Sequence, residues 1–108
     1  MTNRFEYLLK LLEAAPNDAF VLFALAKECE KQGDAPKALE YYLRLQETDP
    51  TYVGLYYHLG KLFETRQDFP NAIQTYKKGI EISKKAGDQH AASELNGALL
   101  NLEDPDDE

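Results

Sequence analysis

The stretch DAPKALEYY at 34–42 returns as DFPNAIQTY at 68–76. Asp34, Pro36, Ala38 and Tyr42 reappear as Asp68, Pro70, Ala72 and Tyr76, each displaced by 34 residues. The same displacement carries Pro16 to Pro50, Leu25 to Leu59, Lys27 to Lys61 and Glu30 to Glu64. A fixed period of this length constrains the fold more than composition can. One supersecondary unit is being reused, and its apolar face must be covered by neighbouring copies.

Within each copy the apolar residues keep a helical period. Leu22, Leu25, Ala26 and Cys29 lie on one face, and Val53, Tyr56, Leu59, Gly60 and Phe63 on its counterpart. Ala38, Leu39, Tyr42 and Leu45, and then Ala72, Ile73, Tyr76, Gly79 and Ile80, form the facing stripes. Small residues opposite large ones let two helices approach closely while rings fill the space beside them. Gly33-Asp34 and Gln67-Asp68 mark the turn between the helices, and Asp is a good cap for the next start. Pro36 and Pro70 fall in a first turn, where a missing N–H costs little. Outside the copies, residues 3–15 read as a helix capped by Asn3, with Phe5, Leu8, Leu9 and Leu12 as its buried stripe. Residues 88–102 read as a helix opened by Asp88, burying Ala91, Ala92, Leu95, Ala98, Leu99 and Leu102 and turning Glu94 and Asn101 outward.

Written out, the second copy is Tyr56-x-x-Leu59-Gly60-x-x-Phe63 followed by Ala72-x-x-x-Tyr76. The first is Leu22-x-x-Leu25-Ala26-x-x-Cys29, then Ala38-x-x-x-Tyr42 and Pro50. This pattern resembles the tetratricopeptide repeat (TPR), a 34-residue helical pair with the signature Trp-x-x-Leu-Gly-x-x-Tyr…Ala-x-x-x-Phe…Pro. The chain departs from it at Leu22 and Tyr56 (no Trp), at Ala26 and Cys29, and at Lys84, where a closing Pro would fall. The resemblance implies an all-α fold, a right-handed α-solenoid of antiparallel helix pairs with about six helices and no strands. It divides a single domain, 1–102, into an N-terminal half unit at 3–15, repeats at 19–52 and 53–86, and a capping helix at 88–102. Residues 103–108 are left as an acidic tail.

In this family the first helix of each unit lines a concave groove that binds a peptide or extended segment. Carried over by position, the groove candidates are Phe20, Phe23, Lys27, Glu30 and Lys31, then Gly54, Tyr57, Lys61, Glu64 and Thr65. The resemblance makes neighbours of Phe23 and Tyr57 and of Lys27 and Lys61. Aromatics beside fixed positive charge suit an acidic ligand; equally, Phe23 and Tyr57 could cover the core edge while the lysines are solvated. Some relatives clamp a chaperone's terminal carboxylate with Lys, Asn and Arg side chains. Phe23, Lys27 and His58 stand at those places, and Lys and Arg are lacking from Ala86 onward, so that clamp is absent.

Net charge is −7, but five of the acids sit in EDPDDE, and the rest of the chain is close to balanced, with 14 acids against 12 bases. Such a block usually acts as a solvated tail, and this balance makes nucleic acid a poor partner. A single cysteine excludes an internal disulfide. MTNRFEYLLKLLEAAP has neither the apolar run nor the cleavage site of a signal peptide, and no membrane span is expected, so a cytoplasmic protein is. Cys29 with His58 or His90 is the only nucleophile–base pairing that residue types allow, and the repeat places them at different heights. Two histidines and one cysteine in unrelated positions form no metal pattern, and no phosphate loop is present. Lys77, Lys78, Lys84 and Lys85, interrupted by Glu81, read as a solvated face. The expectation is a protein-binding module without catalytic, metal or cofactor chemistry, a monomer or weak homodimer whose partner is another protein or peptide, possibly acidic. The alternative is a self-associating scaffold subunit using the first helix, where Tyr7 and Leu11 lie beyond the core stripe.

Overall fold

The computed structural model of the chain describes residues 3–103, the Asn3 side chain excepted. The cap expected of Asn3 and residues 104–108 of the acidic tail lie outside the described residues. Those residues form six helices and no strand: α1 (Asn3–Ala14), α2 (Ala19–Lys31), α3 (Ala35–Thr48), α4 (Gly54–Thr65), α5 (Phe69–Lys85) and α6 (Gln89–Leu102). They divide between Tyr52 and Val53 into two compact units, α1–α3 and α4–α6.

Three of the five connections share one construction. After α2, α4 and α5 the chain takes a left-handed residue at Gly33 (φ 81°), Gln67 (φ 62°) and Gly87 (φ 75°). The next residue is always Asp. Its N–H reaches back to the carbonyl five positions earlier, from Asp34 to Cys29 (2.8 Å), Asp68 to Phe63 (2.8 Å) and Asp88 to Ser83 (2.9 Å). Its carboxylate then accepts a backbone N–H of the following helix, from Lys37, Asn71 or Ala91. One aspartate thus closes a helix and opens the next, and so short a link forces antiparallel packing. Asp18 caps α2 in the same way at Val21 N (3.0 Å). α4 starts at Val53 with no side-chain cap.

In the first unit α2 packs against both α1 and α3. Leu8 of α1 joins Val21, Ala24 and Leu25 of α2 in a buried cluster, with Phe5, Leu9, Leu11 and Leu12 packed on it. Leu11 is therefore part of the α1–α2 contact and does not lie beyond the core stripe; Tyr7 is 61% exposed. The sequence also gives no warning of Glu28, 5% exposed, paired with Arg4 at 3.5 Å, or of Arg44, which donates to the Pro16 carbonyl (2.6 Å) and so ties α3 to the α1–α2 link. In the second unit α5 packs on both α4 and α6. There a Cβ at Gly60 would lie 2.7 Å from Cδ1 and Cζ of Tyr76 and closer still to Cε1, and one at Gly79 would lie 2.5 Å from Tyr56 Cβ. Absence of side chains at these two points lets both rings be wholly buried.

Candidate functional site

The candidate residues occupy one face of α2 and one face of α4. On α2, Phe20 is 63% exposed, and Phe23, Lys27 and Glu30 come next at helical spacing on the same side. Phe23 is half-buried, its ring 5.4 Å from that of Tyr52 and 6.2 Å from that of Tyr42. It is held by the first unit's own aromatics, so the accessible ring of this face is Phe20. Lys27 and Lys31 are exposed.

Glu30 and Glu64 have a structural partner that the sequence reading missed. Tyr42 is fully buried, and its hydroxyl donates to Glu30 at 2.8 Å. Tyr76 repeats the arrangement with Glu64 at 2.5 Å. A buried phenol needs an acceptor, and in both copies a carboxylate twelve residues earlier supplies it. Burial, and after it the hydrogen bond to the carboxylate, pushes both phenols well above their ordinary pKa. Burial likewise raises that of Tyr52. The repeated displacement of Glu30 with Tyr42 onto Glu64 with Tyr76 was the signal available in the sequence.

On α4 the side chains are linked in series. Lys61 Nζ lies 5.5 Å from the centre of the Tyr57 ring and 3.7 Å from Glu64, and Glu64 accepts from Tyr76. The Tyr57 ring also meets His58 edge-on at 5.6 Å. Lys61 thus has both an aromatic face and a carboxylate beside its ammonium. Gly54 and Thr65 are exposed, and the Thr65 hydroxyl is turned back onto the Lys61 carbonyl (3.1 Å).

Cys29 is 2% exposed, and burial, with the nearby Asp34 carboxylate second, raises its thiol pKa. A thiol held protonated is a poor nucleophile. Among the described residues no three His, Cys, Asp or Glu side chains are grouped to hold a metal. No helix among them is long and apolar enough to cross a membrane.

Helix pairs of one pattern, joined by one turn construction and carrying the same tyrosine–glutamate bond at a 34-residue interval, define a class: the all-α helical repeat proteins. The tetratricopeptide repeat family model matches residues 4–53 and again 23–88, and the chain belongs to that family. It is similar to a tetratricopeptide repeat domain protein from Salinibacter ruber. Against that protein's solution structure identity is 45%, covering 86% of this chain and 94% of the other, with a TM-score of 0.80. Against its crystal structure identity is 47%, with coverage of 81% and 98% and a TM-score of 0.77. The TPR2B domain of yeast Sti1, solved as a complex with pHsp70, shares the fold at 17% identity, with coverage of 92% and 79% and a TM-score of 0.85. A comparison with curated proteins finds no match.

Proposed function

We propose that the chain is a non-catalytic protein-binding module in which each unit offers an exposed helix face, α2 in the first and α4 in the second, to an acidic peptide or extended segment. The observation that carries this reading is the Phe20, Phe23, Lys27 face of α2. An accessible ring, Phe20, and an exposed cation, Lys27, lie on one side of the helix two turns apart, about 10 Å, and the opposite side is committed to the core. Phe20 would be the apolar anchor, since an exposed ring gains most from being covered. On its own unit each lysine, Lys27 or Lys61, would meet a ligand carboxylate, and Lys61 is already oriented by Tyr57 and Glu64. Glu30 and Glu64 would act through their tyrosines, fixing the helix face rather than touching the ligand. The TPR2B domain of yeast Sti1, which shares the fold and was solved as a complex with pHsp70, supports the capacity of the fold to hold a protein partner.

The test is an array of acidic and neutral peptides probed with the parent and with a Lys27→Glu/Lys61→Glu double variant. The parent should select acidic peptides and lose affinity as salt rises, because exposed charges are screened beyond about 10 Å at 0.1 M. The double variant should bind at least about tenfold more weakly, the equivalent of ~1.4 kcal/mol, while its helical circular dichroism is kept. Phe20→Ala should weaken binding without changing the salt dependence. Equal affinity of parent and double variant would move the binding surface elsewhere.

A further inference from the structure

Within the second unit, α5 and α6 leave an open groove between them. It encloses about 260 Å³ and is lined by Ile80, Lys84, Gln89, Ala92, Ser93 and Asn96. Ile80 and Ala92 supply its apolar part. Lys84, Gln89, Ser93 and Asn96 are exposed and bring an ammonium, two amides and a hydroxyl, each able to donate to a carboxylate. No acid lines this groove. A smaller hollow of about 150 Å³ adjoins it at Lys84 and is bordered by Asp88, whose carboxylate accepts the Ala91 N–H. Glu81 and Glu94, also on these helices, line neither hollow.

On the same helix pair, Lys77 Nζ lies 3.5 Å from the carboxylate of Glu103, the first residue of EDPDDE. The five residues after it carry four more carboxylates, on Asp104, Asp106, Asp107 and Glu108. Five extended residues reach about 17 Å. Lys77 and Lys84 are two helical turns apart, about 10 Å. A segment that leaves the α6 end beside Lys77 thus has the length to turn back and bring its carboxylates to Lys84. Its charge complements the donors there, and the exposed Lys78 and Lys85 add to the positive field of α5.

We propose that the groove between α5 and α6 is a docking site for an acidic extended segment, and that its occupant is the chain's own Asp104–Glu108, led in by the Glu103–Lys77 ion pair. The site shares no residue with the α2 or α4 face, so either surface can fail its test without the other.

The experiment compares amide chemical shifts of the parent with those of a full-length variant whose tail is neutralised, Asp104→Asn, Asp106→Asn, Asp107→Asn and Glu108→Gln. Differences should appear at Lys84, Gln89, Ser93 and Asn96 at low salt and vanish near 1 M, where the screening length falls to about 3 Å. Neutralising the tail should leave those four amides unshifted when Lys84→Gln is already present. Differences restricted to the last turn of α6, or centred on Lys27 and Lys61, would overturn the proposal. So would differences that disappear on about tenfold dilution, which would place the tail on a second molecule.

Discussion

The buried tyrosines set the most exacting demands of this molecule. Tyr76 is flattened against a helix that has no side chain at residue 60, and a Cβ there would overlap a fixed ring rather than a flexible chain end. Gly60→Leu should therefore cost about 2–3 kcal/mol, the upper part of the range for overpacking, read as a lower midpoint in urea. An unchanged midpoint would mean that α4 and α5 do not meet at this glycine. Ser83 predicts the opposite sign. It is fully buried, and its hydroxyl has no hydrogen-bond partner among the described residues. A desolvated, unpaired hydroxyl is a cost that alanine removes, and alanine is also the better helix former. Ser83→Ala should raise stability by about 1 kcal/mol in the same measurement, and a loss of that size would show that Oγ is bonded after all. The tyrosine positions were legible as an apolar stripe. Their carboxylate acceptors were not, because a charged residue on a helix face reads as solvent-facing until the facing helix delivers a hydroxyl to it.

At the level of the helix, the shared turn was readable almost completely from Gly33-Asp34, Gln67-Asp68 and Gly87-Asp88. Only glycine enters the left-handed region without a steric penalty, and aspartate can cap the next helix. The middle turn keeps this geometry with Gln67 at φ 62°, a conformation that costs an ordinary residue roughly 1–2 kcal/mol. Gln67→Gly should relieve it. After allowance for glycine's greater freedom in the unfolded chain, a gain of about 0.5–1 kcal/mol is expected, seen as slower exchange of the Asp68 amide with solvent and a higher midpoint. Gly33→Ala and Gly87→Ala should destabilise in mirror fashion, although no atom lies within 4 Å of a Cβ at either position, because the penalty is in the backbone. Packing of α1 was less legible. Leu11 falls off the stripe of Phe5, Leu8, Leu9 and Leu12, yet it is drawn into the contact with α2.

For the whole molecule, the two tyrosine–glutamate bonds predict how stability responds to alkali. Tyr42 and Tyr76 are held well above the ordinary phenol value by burial and by the adjacent carboxylate. Below pH ~10 both states keep these protons, and the contribution is fully present. Above it the unfolded chain releases protons that the folded chain retains, so the unfolded state binds fewer and stability falls as pH rises. The thermal midpoint should decline above pH ~10, and a Tyr42→Phe/Tyr76→Phe double variant should decline less steeply, though from a lower starting point. Parallel curves for parent and variant would show that the two phenols titrate alike in both states.

What the sequence by itself determined is the repeat: the period, the six helices, the aspartates that open α3, α5 and α6, and most of the apolar stripe that each helix turns inward. These come from local backbone preference and from apolar spacing, both of which are properties of neighbours along the chain. Only the tertiary structure decided which polar groups are spent internally. It bonded Glu30 and Glu64 to the hydroxyls of Tyr42 and Tyr76, set Lys61 between a ring and a carboxylate, buried Glu28 beside Arg4 and left Phe20 as the open ring of α2. The reason is desolvation. Whether a polar side chain faces water or a partner depends on what a second helix places within about 3 Å of it, and a linear period carries no record of that distance.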